Sequence, residues 1–591
     1  MSPAAIQQSF DEAIRHQQAG RLLEAELIYR KILARQPEHA GAMLYLGVIA
    51  NQSRNGEAAV NLIRQAIALD PHCADAYCNL GLALHGLERF DEAIEAYRRA
   101  IRLNPNLAEA YTNLGNTMIS KGRLDDAVAA CRQALALRPD SAETYINLGY
   151  ALKDKGLLDD AIESLRRAVA IRPDHPHAHS DLIFTMHYHP GYDSRAIAQE
   201  LRRWSQQLAE PLRQYIHPNL NDRDPERRLR IGYVSPDFRN HPVGRNLLPL
   251  FQNHDRQKFE ITAYADVIRP DFLTGMLQQN VDAWRDVAGI SDQRLAEQIR
   301  EDRIDILVDL TLHSGGNRLL VFARKPAPVQ VSYLGYCGST GLETIDYRIS
   351  DPFFDPPGGD ESLYSEKTVR LPKTYWCYHP GVDPKVEVSP CPALANGFVT
   401  FGCQNNYCKI TPPVWNAWAA ILRGVPNSKL LINCTHGSHR ETARKILAEA
   451  GVNPNRLAFA ESRNEEYFRC YNQIDIALDP FPFGGGTTTC DALWMGVPVV
   501  TLSGNTAVGR GGRSILSNMG LLELIASTPN EYVQIAVDLA GRLDRMDSLR
   551  RGMRARLQGS PLMDARQFAR DMESAYRQMW RIWCQRPLAT V

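Results

Sequence analysis

The sequence predicts an α-solenoid of helical repeats followed by an α/β region that contains two parallel sheets. Residues of three classes recur every 34 positions through the first 173 residues of this 591-residue chain. From Arg230 onward, short runs rich in β-branched and aromatic residues alternate with stretches of helical periodicity. That alternation is typical of parallel strands joined by crossover helices.

The repeat is defined by a Leu-Gly pair, an alanine and a proline. The pairs are Leu46-Gly47, Leu80-Gly81, Leu114-Gly115 and Leu148-Gly149; the alanines are Ala25, Ala59, Ala93, Ala127 and Ala161; the prolines are Pro37, Pro71, Pro105, Pro139 and Pro173. This period and these residues are typical of tetratricopeptide repeats. Small residues suit close packing of the two helices of a repeat, and proline ends the second helix because it has no N–H to donate. We expect about five repeats plus a capping helix over residues 1–185, and a helical linker over 186–229.

One repeat cannot bury its own apolar face, so the repeats are expected to stack into a superhelix with a concave groove. Asn79, Asn113 and Asn147 share one position, immediately before a Leu-Gly pair. Two interpretations are open: a ladder of amides that holds the backbone of an extended peptide, or asparagine merely tolerated on the first helix. The array is expected to present a protein or peptide acceptor, or to pair two copies of the chain as a homodimer.

The α/β region is predicted to form two Rossmann-like domains, over residues 230–390 and 391–591. The expected strands are Arg230–Ser235, Phe259–Ala265, Ile304–Leu310 and Val329–Tyr336, and then Phe398–Cys403, Lys429–Cys434, Arg456–Ala460, Asp475–Asp479 and Val497–Leu502. A Pro-rich stretch separates the two sets. The amphipathic segment Gln567–Trp583 is expected to pack on the α/β core as a C-terminal helix. Ligands of such sheets bind beyond the carboxyl ends of the strands.

Composition excludes several classes of function. Lys+Arg and Asp+Glu both number 67, so neither a nucleic acid nor an anionic membrane is an expected partner. The apolar runs are too short to span a bilayer, and the first residues do not form a secretion signal, so a cytoplasmic protein is expected. The twelve cysteines contain no C-x-x-C pair and the His-rich stretch has no metal-ligand spacing, so we expect reduced thiols and no metal or cofactor. Absence of a G-x-G-x-x-G motif and of a P-loop argues against dehydrogenases and NTPases.

Two loops that follow predicted strands carry candidate chemistry. His241 lies just beyond the first strand, where its imidazole could accept a proton or hold a hydroxyl group. Lys409 lies beyond the first strand of the second domain, where it could neutralise charge on a departing diphosphate, although a lone lysine is also compatible with a solvated side chain.

A third candidate is the segment Gly484–Asp491, which follows a strand and opens a helix. Three glycines let the backbone approach a ligand, and a helix N-terminus with threonine hydroxyls can bind a diphosphate. Asp491 is then placed to accept hydrogen bonds from a ribose. The alternative is a flexible glycine turn with a threonine that caps the helix.

Taken together, these motifs resemble those of a known family. The order of a repeat array, DF-x-NHP, LGY-x-G, a Gln/Asn-rich loop with lysine, and GGTTT-x-DALWMG-x-P is similar to that of glycosyltransferase family 41, the protein O-linked N-acetylglucosamine transferases. The resemblance implies a GT-B fold, with inverting, metal-independent transfer of N-acetylglucosamine from UDP-N-acetylglucosamine to Ser or Thr of a protein. No cofactor is implied.

The resemblance also implies roles for individual residues. His241 and Lys409 match catalytic positions, and the donor-binding positions are Leu334, Gly335, Asn406, Tyr467, Gly485, Gly486, Thr487, Thr488 and Asp491. Tyr467 falls where animal members stack a histidine on uracil, and its ring keeps that capacity. Gly486 replaces a phosphate-contacting histidine, and Cys337 replaces a proline. The general base is open between His241 and a phosphate oxygen of the donor.

Two alternatives to this function are kept. One is a flagellin glycosyltransferase that uses another activated sugar, which neighbouring flagellar or sugar-activation genes would favour. The other is a repeat-based scaffold with an inactive transferase domain. A scaffold would not be stabilised against unfolding by UDP, whereas an enzyme that binds UDP would be.

Overall fold

The computed structural model describes residues 3–381, 386–461 and 465–587. These residues form two compact units: the first contains the chain up to Arg172 together with His436–Ser438, and the second contains the rest, from Pro173 onward. Each unit has its own hydrophobic cores.

The first unit consists of paired antiparallel helices, which confirms the predicted repeats. Its helices are α1 (Pro3–Gln18), α2 (Leu22–Arg35), α3 (Ala40–Gln52), α4 (Gly56–Leu69), α5 (Ala74–Gly86), α6 (Phe90–Leu103), α7 (Ala108–Ser120), α8 (Leu124–Leu137), α9 (Ala142–Asp154) and α10 (Leu158–Ile171). The repeated alanines are 0% exposed, and each repeated proline lies two residues beyond the end of a second helix. Gly81 shows why the pairs need a glycine: a Cβ there would lie 2.6 Å from Cε1 of Tyr97 on the partner helix.

The second unit begins with two helices and a seven-stranded sheet. Its first elements are α11 (Pro176–Met186), α12 (Ser194–Trp204), β1 (Leu229–Ser235), α13 (Pro242–Asn253), β2 (Phe259–Ala265), α14 (Phe272–Gln279), β3 (Ala283–Asp286), α15 (Asp292–Glu301), β4 (Ile306–Asp309), α16 (Leu319–Ala323), β5 (Val329–Ser332), β6 (Tyr347–Ser350) and β7 (Lys367–Arg370). The strand order is β3-β2-β1-β4-β5-β6-β7, and every neighbouring pair is parallel. Helix α11 lies at the end of the range predicted for the repeat array and its capping helix, residues 1–185, but in the structure it belongs to the second unit.

A six-stranded sheet follows in the same unit. Its elements are α17 (Pro392–Asn396), β8 (Val399–Cys403), α18 (Pro412–Gly424), β9 (Ser428–Asn433), α19 (Ser438–Glu449), β10 (Leu457–Ala460), α20 (Glu465–Cys470), β11 (Ile476–Leu478), α21 (Thr487–Trp494), β12 (Val499–Leu502), α22 (Gly511–Asn518), β13 (Ile525–Ala526), α23 (Pro529–Ala540), α24 (Leu543–Gln558) and α25 (Ala565–Cys584). The order is β10-β9-β8-β11-β12-β13, again parallel throughout. The predicted fold class, a helical-repeat solenoid before a double parallel-sheet region, is confirmed.

The last helix, α25, returns to the first sheet. Met572, Tyr576 and Trp580 are buried in the core that surrounds β1 and β5, and the Tyr576 hydroxyl lies 3.2 Å from that of Tyr233 on β1. The C-terminal segment thus joins the two sheets into one body. In the described part of the chain, none of the helices has the length and apolar character needed to cross a membrane.

Candidate active site

The candidate residues lie in loops at the carboxyl ends of parallel strands from both sheets. His241 follows β1, the pair Leu334-Gly335 follows β5, Lys409 follows β8, and the glycine-rich loop follows β11. A hydrogen bond joins helices that follow strands of different sheets: Asn246 Nδ2 of α13 donates to Thr487 Oγ1 of α21 at 3.3 Å. The loops of the two sheets therefore meet in one cleft, where the topology of such folds places ligands.

The Asp479 side chain anchors the glycine-rich loop by hydrogen bonds. Its carboxylate is 2% exposed and accepts hydrogen bonds from the Gly485 N–H at 2.9 Å and from the Thr501 hydroxyl at 2.9 Å. Burial raises the pKa of Asp479, while these bonds and the nearby Lys409 charge act in the opposite direction. The loop is thereby anchored where α21 begins. Because the first N–H groups of a helix have no intrahelical acceptor, this end of α21 can receive an anion.

Lys409 lies directly beside that loop. Its Nζ donates to the Gly484 carbonyl at 2.9 Å and to Asn405 Oδ1 at 3.2 Å. The Thr488 hydroxyl donates to the same Asn405 oxygen at 2.9 Å. Burial lowers the pKa of Lys409, and the carboxylate of Asp479 opposes that shift. A positive charge is thus fixed next to a helix N-terminus. The predicted donor contact Asn406 is exposed, and its neighbour Asn405 makes the contacts to the loop.

His241 occupies the N-cap of α13. Its Nδ1 accepts from the Val243 N–H at 3.3 Å and lies 3.4 Å from Asp237 Oδ2. Burial lowers the pKa of His241, and the Asp237 carboxylate opposes this effect, so the ring is neutral at pH 7. In the tautomer that accepts this bond, Nε2 carries the ring proton. If that proton moves to Nδ1, where it faces Asp237 and replaces the bond from Val243, the Nε2 lone pair becomes free to accept a proton. The geometry is therefore compatible with a base at this position.

Asp491, predicted to bind a ribose, is already engaged by protein groups. Its carboxylate is 1% exposed and accepts from Arg245 Nη2 at 2.7 Å, from the Tyr378 hydroxyl at 2.6 Å and from the Tyr467 hydroxyl at 3.0 Å. Burial opposes the charge on Arg245, but the Asp491 carboxylate more than offsets this, so the pKa of Arg245 is raised. Arg245 belongs to α13, so a buried ion pair joins the two sheets across the cleft. Tyr467 is held by its hydroxyl, which also lies 3.0 Å from that of Tyr471.

The turn after β5 has unusual backbone geometry. Leu334 and Gly335 have φ values of +59° and +55°. A Cβ on Gly335 would lie 2.9 Å from the Thr311 backbone, and the Leu334 carbonyl accepts from the Tyr375 hydroxyl at 2.9 Å. Residues other than glycine rarely adopt positive φ, and such backbone strain is concentrated at functional sites.

Trp376 explains the glycine at position 486. A Cβ built on Gly486 would lie 2.6 Å from Cη2 of the Trp376 indole, so the ring occupies the space that a side chain would need. A side chain at position 486 would therefore require the Trp376 ring to move. The indole therefore takes the place of the missing side chain next to the start of α21.

The close approach of Trp376 to Gly486 predicts that a side chain at position 486 destabilises the protein only while the tryptophan is present. Gly486→Ala should reduce the free energy of unfolding by about 1–3 kcal/mol, because the added methyl group must displace the Trp376 ring. The loss is to be measured by thermal and urea unfolding. In a Trp376→Ala background the same substitution should have little effect, and an equal loss in both backgrounds would exclude this explanation.

The sequence analysis missed several residues of the cleft. Asn246 Oδ1 and Trp376 Nε1 are buried and have no hydrogen-bond partner within the described part of the chain. Because an unpaired buried polar atom costs about 1–3 kcal/mol, both are candidates for contacts with a polar ligand. Arg245 and Asn246 follow His241 by about one helical turn, so the helical spacing in the sequence could have placed them near it. Nothing in the sequence pattern points to Trp376 or Tyr378.

The asparagines of the repeats lie on the first helices of successive pairs. Asn79 Nδ2 donates to the Asp75 carbonyl of its own helix at 2.9 Å. Asn113 Nδ2 lies 3.8 Å from Cys78 Sγ, and Asn147 Nδ2 lies 3.5 Å from the Thr112 carbonyl, in each case on the preceding repeat. These contacts favour a role in joining repeats for Asn113 and Asn147, and peptide binding stays a prediction.

The His-rich stretch has structural contacts. His175 caps α11 by accepting from the Ala178 N–H, and His179 Nε2 lies 2.9 Å from the Pro173 carbonyl. Across residues 3–381, 386–461 and 465–587, no group of three or more His, Cys, Asp or Glu side chains is arranged to hold a metal ion.

Comparison with known proteins connects this cleft to a family. The model described as glycosyl transferase family 41 matches residues 175–380 and 391–572. A second model, the C-terminal domain of cilia and flagella-associated protein 70, matches residues 7–203, which include the repeats.

Individual relatives agree with the first match. The probable UDP-N-acetylglucosamine–peptide N-acetylglucosaminyltransferase SPINDLY of Petunia hybrida is 42% identical over 373 residues, which are 62% of this chain and 40% of the petunia protein. The corresponding protein SEC of Arabidopsis thaliana is 33% identical over 371 residues, 61% of this chain and 38% of the plant protein. The chain thus spans about two fifths of the length of these curated relatives.

A solved structure, a mutant of the O-GlcNAc transferase from Thermobaculum terrenum, superposes with a TM-score of 0.80 at 37% identity. The match covers 87% of this chain and 98% of the Thermobaculum chain. Both sheets, the cleft between them and the loops after β1, β8 and β11 lie within the family match. The chain belongs to glycosyltransferase family 41.

Proposed function

We propose that the protein transfers N-acetylglucosamine from UDP-N-acetylglucosamine to Ser or Thr hydroxyls of acceptor proteins. The observation that carries this proposal is the Lys409 ammonium fixed 2.9 Å from the Gly484 carbonyl, beside the open N-terminus of α21. Such a combination of a cation and free N–H groups can stabilise the charge on a diphosphate leaving group. The names of the plant and Thermobaculum relatives supply the sugar and the peptide acceptor.

In this proposal the diphosphate binds at Gly485, Gly486, Thr487 and Thr488, and Lys409 neutralises the charge that grows as the bond from sugar to phosphate breaks. The acceptor hydroxyl attacks the anomeric carbon from the opposite face, which inverts its configuration. His241 takes the hydroxyl proton on Nε2, or orients the hydroxyl while a donor phosphate oxygen takes it. The lysine and the helix N-terminus perform the electrostatic work, so no metal is proposed.

The remaining donor contacts follow from the geometry around Asp491. Its Oδ2 accepts from the Tyr467 hydroxyl at 3.0 Å and from Arg245 Nη1 at 3.5 Å, and a ribose hydroxyl is proposed to replace the longer of these two bonds. Tyr467 is proposed to lie against the uracil, and the Leu334-Gly335 backbone to lie against the sugar. Asn246 and Trp376 are added as contacts because their buried polar atoms lack partners in the described residues.

The repeat unit is proposed to bind the acceptor polypeptide along its groove, where Asn79 and Asn113 are partly exposed and Asn147 is buried. Pairing of two copies through the repeats is a second proposed role for the same unit. The cytoplasm is the proposed compartment for both roles.

A second donor is favoured by one observation. Gly486 stands where the family resemblance implies a phosphate-contacting histidine, and Trp376 fills the space beside it. A different activated sugar, transferred to flagellin, is therefore the alternative substrate pair.

The decisive experiment supplies the full chain with UDP-N-acetylglucosamine and records UDP release together with the masses of co-expressed proteins. We expect turnover and an N-acetylhexosamine mass on Ser or Thr. A parallel panel of other uridine, guanosine and thymidine diphosphate sugars, with flagellin added, separates the two donors. Silence in every arm, with no nucleoside diphosphate raising the melting temperature, would leave only the scaffold function.

The pH profile tests the role of His241. Because burial lowers its pKa, the ring stays neutral at pH 7 and is protonated only as the pH falls below about 6.5. A protonated imidazole cannot accept a proton, so kcat/KM of the wild type should fall on the acid side of that value. In His241→Gln this acid limb should be absent and the plateau lower by about 100-fold. An unchanged limb in the variant would assign it to another group.

A further inference from the structure

Phe483 connects α11 with the proposed catalytic lysine. It immediately precedes the glycine-rich loop, and its ring is half-buried. The Lys409 Nζ lies over this ring, 4.3 Å from the centroid. The ammonium therefore has three neighbours that favour its charge: the Gly484 carbonyl, Asn405 Oδ1 and the aromatic face.

The ring of Phe483 is itself held by aromatic residues that lie outside the two sheets. Tyr188, just beyond the end of α11, stacks on it with centroids 4.9 Å apart and planes inclined by 23°. Phe184 of α11 meets it edge-on at 6.3 Å and contacts Tyr336 at 5.2 Å. Tyr188 is 4% exposed, so the stack is a packed contact.

This arrangement has an electrostatic consequence for Lys409. Burial lowers the pKa of the ammonium and so opposes the charge that a diphosphate requires. An aromatic face attracts a cation by about 0.5–1 kcal/mol at exposed sites and by about 2 kcal/mol when the cation is desolvated. That attraction depends on the orientation of the ring, which Tyr188 and Phe184 restrict.

We propose that Phe483, held by the Tyr188 stack from α11, is a positioning residue that fixes the Lys409 ammonium against the donor diphosphate. This inference rests on the proposed function and extends it, because it makes the segment before the first sheet part of the donor site. The competing explanation is that Phe483 only fills the apolar cluster with Leu312, Tyr336 and Val508.

Binding measurements on the full chain separate the two explanations. Phe483→Leu keeps apolar volume and removes the ring, and we expect it to weaken UDP binding by about 3- to 30-fold while leaving the affinity for uridine unchanged. Phe483→Tyr should restore UDP binding. Tyr188→Leu should show a smaller loss of the same kind, and Tyr188→Phe should behave as wild type.

A double-mutant cycle with Lys409→Ala supplies the control. If Phe483 acts through the lysine, Phe483→Leu should cause no further loss of UDP affinity once the lysine is absent. Equal losses in the two backgrounds, or an undiminished affinity for UDP in Phe483→Leu alone, would overturn the inference.

Labelling of Lys409 gives a readout that does not depend on the donor. With trace acetic anhydride, peptide mass spectrometry should show faster acetylation of Lys409 in Phe483→Leu than in wild type. The reason is that loss of the ring lowers the pKa of the amine further and frees its position. An unchanged labelling rate overturns the inference, whether or not UDP proves to be the nucleotide. Failure of every nucleoside diphosphate to bind wild type, with faster labelling in the variant, would instead count against the proposed function alone.

Discussion

Replacing Lys409 with alanine should lower kcat for sugar transfer by about 100- to 1000-fold without unfolding the protein. The ammonium donates to Gly484 and Asn405 beside the proposed diphosphate site. Removal of this charge leaves the departing diphosphate stabilised only by N–H groups and threonine hydroxyls. The rate is to be measured as UDP release from UDP-N-acetylglucosamine, with acceptor glycosylation followed by mass.

Lys445→Ala is the matched control for that experiment. Its side chain is 76% exposed on α19 and its ammonium lies 3.8 Å from Glu449, so its loss should change neither rate nor stability. Lys409→Ala with kcat within about threefold of wild type would contradict an electrostatic role for this lysine.

The second large effect concerns stability. Asp491→Asn should reduce the free energy of unfolding by about 3–5 kcal/mol, because it leaves the Arg245 guanidinium buried without a counter-charge. The pair is almost fully buried and joins helices α13 and α21, which follow strands of different sheets. The loss should therefore appear as a lower melting temperature of the second unit.

A double variant, Arg245→Met with Asp491→Leu, tests the mechanism of that loss. Removal of both charges should recover a large part of the stability that Asp491→Asn loses, since replacement of a buried ion pair by apolar groups is often neutral. If the double variant is less stable than Asp491→Asn, the carboxylate is needed chiefly by Tyr378 and Tyr467, which also donate to it.

The sequence predicted the interior strands well and the edge strands poorly. Central strands such as β1 and β4 are buried on both faces, so their sequences are continuous apolar runs that predict a strand directly. The strand β3 (AWRD) lies at a sheet edge with two exposed residues, and β13 has only two residues. The strand β6 was missed because Arg348 interrupts its apolar run; this arginine is buried and paired with Asp355 at 2.9 Å.

Local backbone geometry corrected one predicted boundary. The run Val329–Tyr336 reads as a single strand, but β5 ends at Ser332 because Leu334 and Gly335 adopt positive φ, which a strand cannot contain. The apolar composition of this turn hides it. Only the LGY-x-G resemblance indicated that this segment lies near the donor sugar, and that role stays a prediction.

For the candidate site, short motifs predicted the residues on each loop. Glycines, threonines, lysine and histidine at strand ends indicate anion binding or proton transfer without knowledge of their partners. Partners that meet only in the folded chain could not be read this way. Arg245 and Asp491 are 246 positions apart, and Trp376 reaches Gly486 from the segment between the sheets. No periodicity or spacing encodes such contacts.

The central claim is that a nucleoside diphosphate binds between Lys409 and the N-terminus of α21. Calorimetric titration of the full chain with UDP and with uridine monophosphate tests it most directly. UDP should bind at least about tenfold more tightly than the monophosphate, a difference of about 1.4 kcal/mol, and most of that difference should vanish in Lys409→Ala. Equal affinities in the wild type, or a preference for UDP that survives the loss of the lysine, would contradict the account.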